Sequence, residues 1–149
     1  MKFYEFLDNY ENSDVDIYFD MDGVIAEYDI GNFDYNSIRP INSVINTMKE
    51  LIENGYNVRI LSICKNNKIV DEKYDWLKKH LVFFDKNNAI FLSKEEYLGY
   101  ESSELKNNYL NDNANKDHIN ILIDDDILVI KKIKENKDIK VFHISSIIE

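Results

Sequence analysis

Five short apolar runs punctuate the chain, alternating with segments whose apolar residues recur every three or four positions. The runs 15–19, 58–61, 89–92, 119–123 and 140–144 read as strands, and the middle ones are continuously apolar, as when both faces of a sheet are covered. Between them, Ile41, Val44, Ile45, Met48, Leu51 and Ile52 follow helical spacing, with Pro40 suited to a first turn and Asn54-Gly55 to a stop. A helix over 41–53 is therefore predicted, with further helices over 69–80 and 127–135. At the start, Phe3, Phe6, Leu7 and Tyr10 predict a short helix packed on the domain. Segment 101–117 is rich in Asn, Ser and Asp and reads as a surface loop holding one helical turn around 105–110. Alternating strands and helices imply right-handed crossovers. The expected fold is α/β: three Rossmann-like layers, with a five-stranded, mainly parallel sheet between helices.

Composition narrows this picture. A chain of 149 residues, 44% of them hydrophobic, suits one compact domain over 1–149, and no internal repeat suggests otherwise. A formal charge of −10 repels polyanions, so neither a nucleic acid polymer nor a membrane is expected as partner. Cys64 is the single cysteine, which rules out an intramolecular disulfide and fits the cytoplasm. No stretch approaches the roughly 18 to 20 apolar residues of a membrane span, and the N-terminal segment lacks the apolar core of a signal peptide. A homo-oligomer is compatible with all of these features.

The candidate chemistry lies where two strands end. Asp20-Met21-Asp22-Gly23 directly follows the first apolar run, and residues two apart on a strand face the same way, with glycine allowing a tight turn beyond. Asp20 and Asp22 can thus look into a crevice at the carboxyl end of a parallel sheet, the usual ligand position in such folds. Turn or capping aspartates are the plainer explanation of either one. Asp124-Asp125-Asp126 follows the fourth run and is equally compatible with a helix N-cap. If the two strands are neighbours, however, the carboxylates converge, and a pair about 4 Å apart repels by roughly 4 kcal/mol at an effective dielectric near 20. A cation would hold them together, and an all-oxygen donor set favours Mg²⁺. His80, His118 and His143 are too scattered to suggest zinc. Ser62, ending the second run, offers a hydroxyl and nearby N–H groups for phosphate oxygens. Lys116, eight residues before Asp124, offers an ammonium.

In this order, D-x-D, Ser, Lys and an acidic pair, the chain resembles the haloacid dehalogenase superfamily of phosphatases. Segment 17–26 and the blocks 61–65 with 72–77, together with 121–125, resemble the 5′(3′)-deoxyribonucleotidase, or cytosolic type C nucleotidase, family. The resemblance implies a Mg²⁺-dependent phosphatase acting on nucleoside monophosphates through an aspartyl phosphate. It makes Asp20 the nucleophile and Asp22 the acid/base, with Lys116 offsetting charge. Ser62 and Lys65 would hold the phosphate, helped by the backbone N–H groups of Met21 and Ile63. Mg²⁺ would be held by Asp20, the carbonyl of Asp22 and Asp124, with Asp125 orienting its waters or Lys116.

Members of that family carry a helical cap between the first two motifs. Only 39 residues separate Asp22 from Ser62 here, most of them claimed by the 41–53 helix and the next strand, so the cap is expected to shrink to 27–39. Tyr28, Phe33 and Tyr35 are the aromatics left there to cover a base, although burial against the domain is the more frequent use of such residues. Two alternatives stand beside the nucleotidase: a capless phosphatase acting on another phosphomonoester or on a macromolecule, and a non-catalytic phosphoacceptor module of the response-regulator kind. In the last, the acidic pair normally precedes the phosphorylated aspartate, the reverse of the order found here.

Overall fold

A computed structural model describes residues 2–28, 31 and 34–147. Its elements run α1 (Phe3–Leu7), β1 (Val15–Phe19), α2 (Asn42–Glu53), β2 (Asn57–Cys64), α3 (Asn67–His80), β3 (Ala89–Ser93), α4 (Ser102–Asn113), β4 (Ile119–Asp124), α5 (Ile127–Lys134) and β5 (Ile139–His143). The five strands form one all-parallel sheet in the order β3-β2-β1-β4-β5. This is an α/β, Rossmann-like arrangement.

Strand alternation sorts the core into two layers. Ile17 and Phe19 of β1 pack with Val44, Met48, Trp76 and Leu77 of α2 and α3. Tyr18 between them points the other way, joining Leu110 of α4 and Val129, Ile130 and Ile133 of α5. The same alternation decides which helix serves each site residue.

Local signals set the helix ends. Asn66 caps α3 by accepting from the Ile69 N–H at 3.0 Å, and Lys78, Lys79 and His80 sit at its C-terminal end, where positive charge is favoured. Asp126 caps α5, its carboxylate accepting from the Leu128 N–H at 2.8 Å. The capping explanation of the acidic run thus holds for its third member.

Segment 101–117 departs from expectation, because α4 is a twelve-residue helix rather than a loop with one turn. Its polar surface conceals a narrow inward stripe: Leu105, Lys106, Leu110 and Ala114 are buried, the last three at helical i, i+4 spacing. Among the described residues, no helix is long and apolar enough to cross a membrane.

Between Ala26 and Pro40 the chain stays short and is fastened at its base. The Glu27 N–H donates to the Arg39 carbonyl at 2.9 Å and the Ile41 N–H to the Ile25 carbonyl at 2.8 Å. Trp76 of α3 donates its indole N–H to the Ile38 carbonyl at 3.0 Å, tying the segment to the layer of α2 and α3. Phe33 lies outside the described residues.

Candidate active site

β1 and β4 are paired with Phe19 opposite Ile123, so the next residues, Asp20 and Asp124, leave the sheet side by side. The Asp20 N–H donates to the Ile123 carbonyl at 2.9 Å, extending the ladder by one bond. A cleft of about 410 Å³ opens at this carboxyl end, lined by Asp20, Asp22, Ser62, Ile63, Asp124 and Asp125, together with Tyr28, Ser102, Lys106, Asp126 and Val129. Met21, fully buried, packs in the core beside it, and its carbonyl accepts from the N–H groups of Val24, Ile25 and Ala26.

The lysine at this cleft is Lys106. Its ammonium lies 2.8 Å from Asp20 Oδ1 and 2.5 Å from Asp124 Oδ2, and the side chain is almost wholly buried. Lys116, the sequence-based candidate, is exposed and pairs with Asp138 at 3.9 Å instead. The correction has a simple cause. Asp20 and Asp124 share strand parity with Tyr18 and Leu122, which face α4 and α5, so a helical residue of that layer reaches them while residue 116 lies beyond the end of α4. Lysine within an otherwise apolar i, i+4 stripe was the available signal.

A second lysine, Lys73 of α3, also escaped the sequence reading. Ser62 and Ile60 point to the opposite layer, where the Lys73 ammonium donates to Ser62 Oγ at 2.8 Å, to Asp22 Oδ2 at 3.0 Å and to the Ile63 carbonyl at 3.2 Å. Tyr35 is used differently from the expected base cover: its hydroxyl donates to Asp22 Oδ1. Tyr28 stands at the cleft with 68% of its surface exposed. Lys65 is exposed and lies outside the cleft lining.

Burial pushes the Asp20 carboxyl up to about 6; Lys106 opposes this and the Asp124 charge reinforces it. Burial likewise raises Asp125, with the Asp20 charge adding to it. For Lys106, burial alone would favour the neutral amine, but Asp20 and Asp124 outweigh it and keep the ammonium charged. Lys106 is thus paired with both Asp20 and Asp124, and its charge also acts on Asp125. Asp20, Asp124 and Asp125 each offer an oxygen within 4.8 Å of the others. This all-oxygen set fits a hard divalent cation such as Mg²⁺.

Gly23 makes this approach feasible. Its φ of +80° is a conformation that side chains disfavour, and an added Cβ would stand 2.1 Å from Asp125 Oδ2. Gly23→Ala is therefore expected to cost about 1–3 kcal/mol in urea unfolding through backbone strain, and to weaken the Mg²⁺-induced rise in melting temperature by displacing Asp125. Unchanged values in both measurements would refute this account of the turn.

No family profile and no curated protein matches the sequence. Among solved structures, a chain of the Pnkp1/Rnl/Hen1 complex matches with a TM-score of 0.70 at 17% identity, over 87% of this chain and 45% of that one. A chain of the Pnkp1/Rnl/Hen1 RNA repair complex matches with a TM-score of 0.69 at 17% identity, over 87% of this chain and 42% of that one. The protein therefore spans less than half the length of the chains it matches, and what it shares with them at this identity is the fold.

Proposed function

We propose that this chain is a Mg²⁺-dependent phosphatase that hydrolyses phosphomonoesters through an aspartyl phosphate on Asp20. The observation that carries the reading is the arrangement at two adjacent strand ends: Asp20 and Asp124 bridged by a buried lysine, with Asp125 within metal-sharing distance.

In this reaction an oxygen of Asp20 attacks phosphorus in line with the ester oxygen, forming one P–O bond as the other breaks. Asp22 gives a proton to the departing alkoxide and later takes one from the water that attacks the phosphoaspartate at phosphorus. Lys106 offsets negative charge beside the nucleophile, while Ser62 and the N–H groups of Met21 and Ile63 hold phosphate oxygens. Asp20, the Asp22 carbonyl and Asp124 would hold a Mg²⁺ ion, with Asp125 beside it, and the ion would supply charge neutralisation between the carboxylate and a phosphate dianion.

For the substrate we favour a nucleoside or deoxynucleoside monophosphate, on the motif resemblance and on the exposed Tyr28 ring at the cleft, which can stack on a base. A second reading, a phosphorylated RNA end, draws on the fold shared with a chain of an RNA repair complex. The net charge of −10 opposes it.

Phosphate release from nucleoside 5′- and 3′-monophosphates, sugar phosphates, 4-nitrophenyl phosphate and a 3′-phosphorylated oligoribonucleotide, with Mg²⁺ and with EDTA, tests these readings. Mg²⁺-dependent release favouring mononucleotides supports the first. Preference for the oligonucleotide selects the second. Stoichiometric labelling without turnover selects the phosphoacceptor module, and no reaction with any of them removes the phosphatase assignment.

A further inference from the structure

Burying an ammonium is costly unless its protons find acceptors. Lys73 is 1% exposed, and its three protons meet three acceptors: Ser62 Oγ, Asp22 Oδ2 and the Ile63 carbonyl. It stands in the inward stripe of α3 with Ile69, Trp76 and Leu77, where an apolar side chain of similar size would fill the space without burying a charge. Packing therefore does not account for it. Tyr35 arrives from an unrelated part of the chain and donates to the other oxygen of the same carboxylate.

The grip is one-sided. The Asp22 side chain keeps 29% of its surface while that of Lys73 keeps 1%, so Asp22 is held from behind and remains open to the cleft. A carboxylate has about four lone-pair sites, and Lys73 and Tyr35 occupy two of them. Ser62 Oγ accepts from Lys73, which leaves its own hydroxyl proton for an acceptor other than Lys73.

We propose that Lys73 and Tyr35 are positioning residues for the phosphatase reaction described above, a reading on which this inference rests. Lys73 couples the phosphate-binding hydroxyl of Ser62 to the proton-transferring carboxylate of Asp22, turning the Ser62 O–H toward a phosphate oxygen. Tyr35 fixes the second oxygen of Asp22, so that the segment between β1 and α2 braces the site from within. Neither residue transfers a group or touches the reacting phosphorus.

The test compares kcat and KM of the wild type, Lys73→Met and Tyr35→Phe on a nucleoside 5′-monophosphate and on 4-nitrophenyl phosphate, with Mg²⁺ present. An alkoxide needs a proton to leave, whereas 4-nitrophenolate hardly does. Misplacing Asp22 should therefore lower kcat/KM, which reports departure of the alcohol or phenol, at least about tenfold more on the nucleotide than on the aryl ester. A merely structural role would lower both in proportion to the folded fraction and leave their ratio unchanged. Tyr35→Phe retains the ring, so it answers the question even if Lys73→Met does not fold. In a folded Lys73→Met protein, Ser62→Ala should raise KM less than it does in the wild type, because the two act as a unit. An unchanged substrate ratio in active variants overturns this inference alone. A wild-type protein inactive on these and on every other phosphomonoester of the panel above overturns the phosphatase reading and this inference with it.

Discussion

On the proposed covalent route, Asp20→Asn is expected to abolish phosphate release, lowering kcat by at least about 10⁴-fold, because the amide keeps the shape of the carboxylate but cannot act as a nucleophile. The fold is expected to survive the change. Burial, reinforced by the Asp124 charge and opposed by Lys106, pushes the Asp20 carboxyl up to about 6 from the ordinary 3.8. A carboxyl raised in the folded state binds its proton more tightly there than in the unfolded chain. Its contribution to stability is therefore greatest below about pH 4 and declines as pH rises toward 6. Asn has no such dependence. In EDTA, the melting temperature of the wild type relative to Asp20→Asn should accordingly fall between pH 4 and pH 7. Mg²⁺ should reverse that trend at pH 7 for the wild type and much less for the variant. Thermal melts across this range check the sign, and full activity in Asp20→Asn would refute the covalent route.

The second large effect falls on Lys106. Replacing it with Met leaves Asp20 and the fully buried Asp124 facing each other without their shared cation. Breaking a buried pair from one side typically costs about 3–5 kcal/mol, since the stranded charge loses its partner without regaining water. Turnover should fall about 10²- to 10³-fold even in the folded fraction, as expected when a preorganised positive group is removed from a site where charge develops. Asp124→Asn added to Lys106→Met should recover part of the stability by removing one stranded charge, without restoring turnover. Lys116→Met supplies the contrast. That side chain is exposed in a long surface pair with Asp138, so stability should change by less than about 0.5 kcal/mol and activity should persist. Urea unfolding and steady-state rates of both lysine variants check the assignment. Equal effects at 106 and 116, or a larger one at 116, would refute it.

The two lysines show how composition can hide a site. Segment 101–117 carries so many Asn, Ser and Asp residues that its average polarity resembles a loop, yet its inward positions Leu105, Leu110 and Ala114 suffice to dock a helix. Once that segment is a helix, Lys106 stands in the buried stripe. The same holds for Lys73 between Ile69 and Trp76. In both cases the charged residue looked like one more member of a basic complement of eighteen. Proximity in sequence favoured Lys116, but a parallel sheet brings together residues from separate crossovers, so distance along the chain is a poor guide to the partner of a strand-end carboxylate.

The strands, the helices α2, α3 and α5, and the α/β class follow from the sequence itself, because they rest on local periodicity and on turn and capping residues that act within a few positions. So does the presence of two acidic clusters at strand ends, since alternation along β1 and β4 is a property of the chain alone. Which clusters meet, and which groups hold them, was decided by tertiary structure. The adjacency of β1 and β4 joins Asp20 to Asp124, the parity of each strand assigns Lys106 to one carboxylate pair and Lys73 to Asp22 and Ser62, and the fastening of Ile38 to Trp76 of α3 accompanies the inward turn of Tyr35. Each of these is a contact between residues distant in the chain, chosen by how two faces of one sheet are covered, and the local pattern carries no record of that choice.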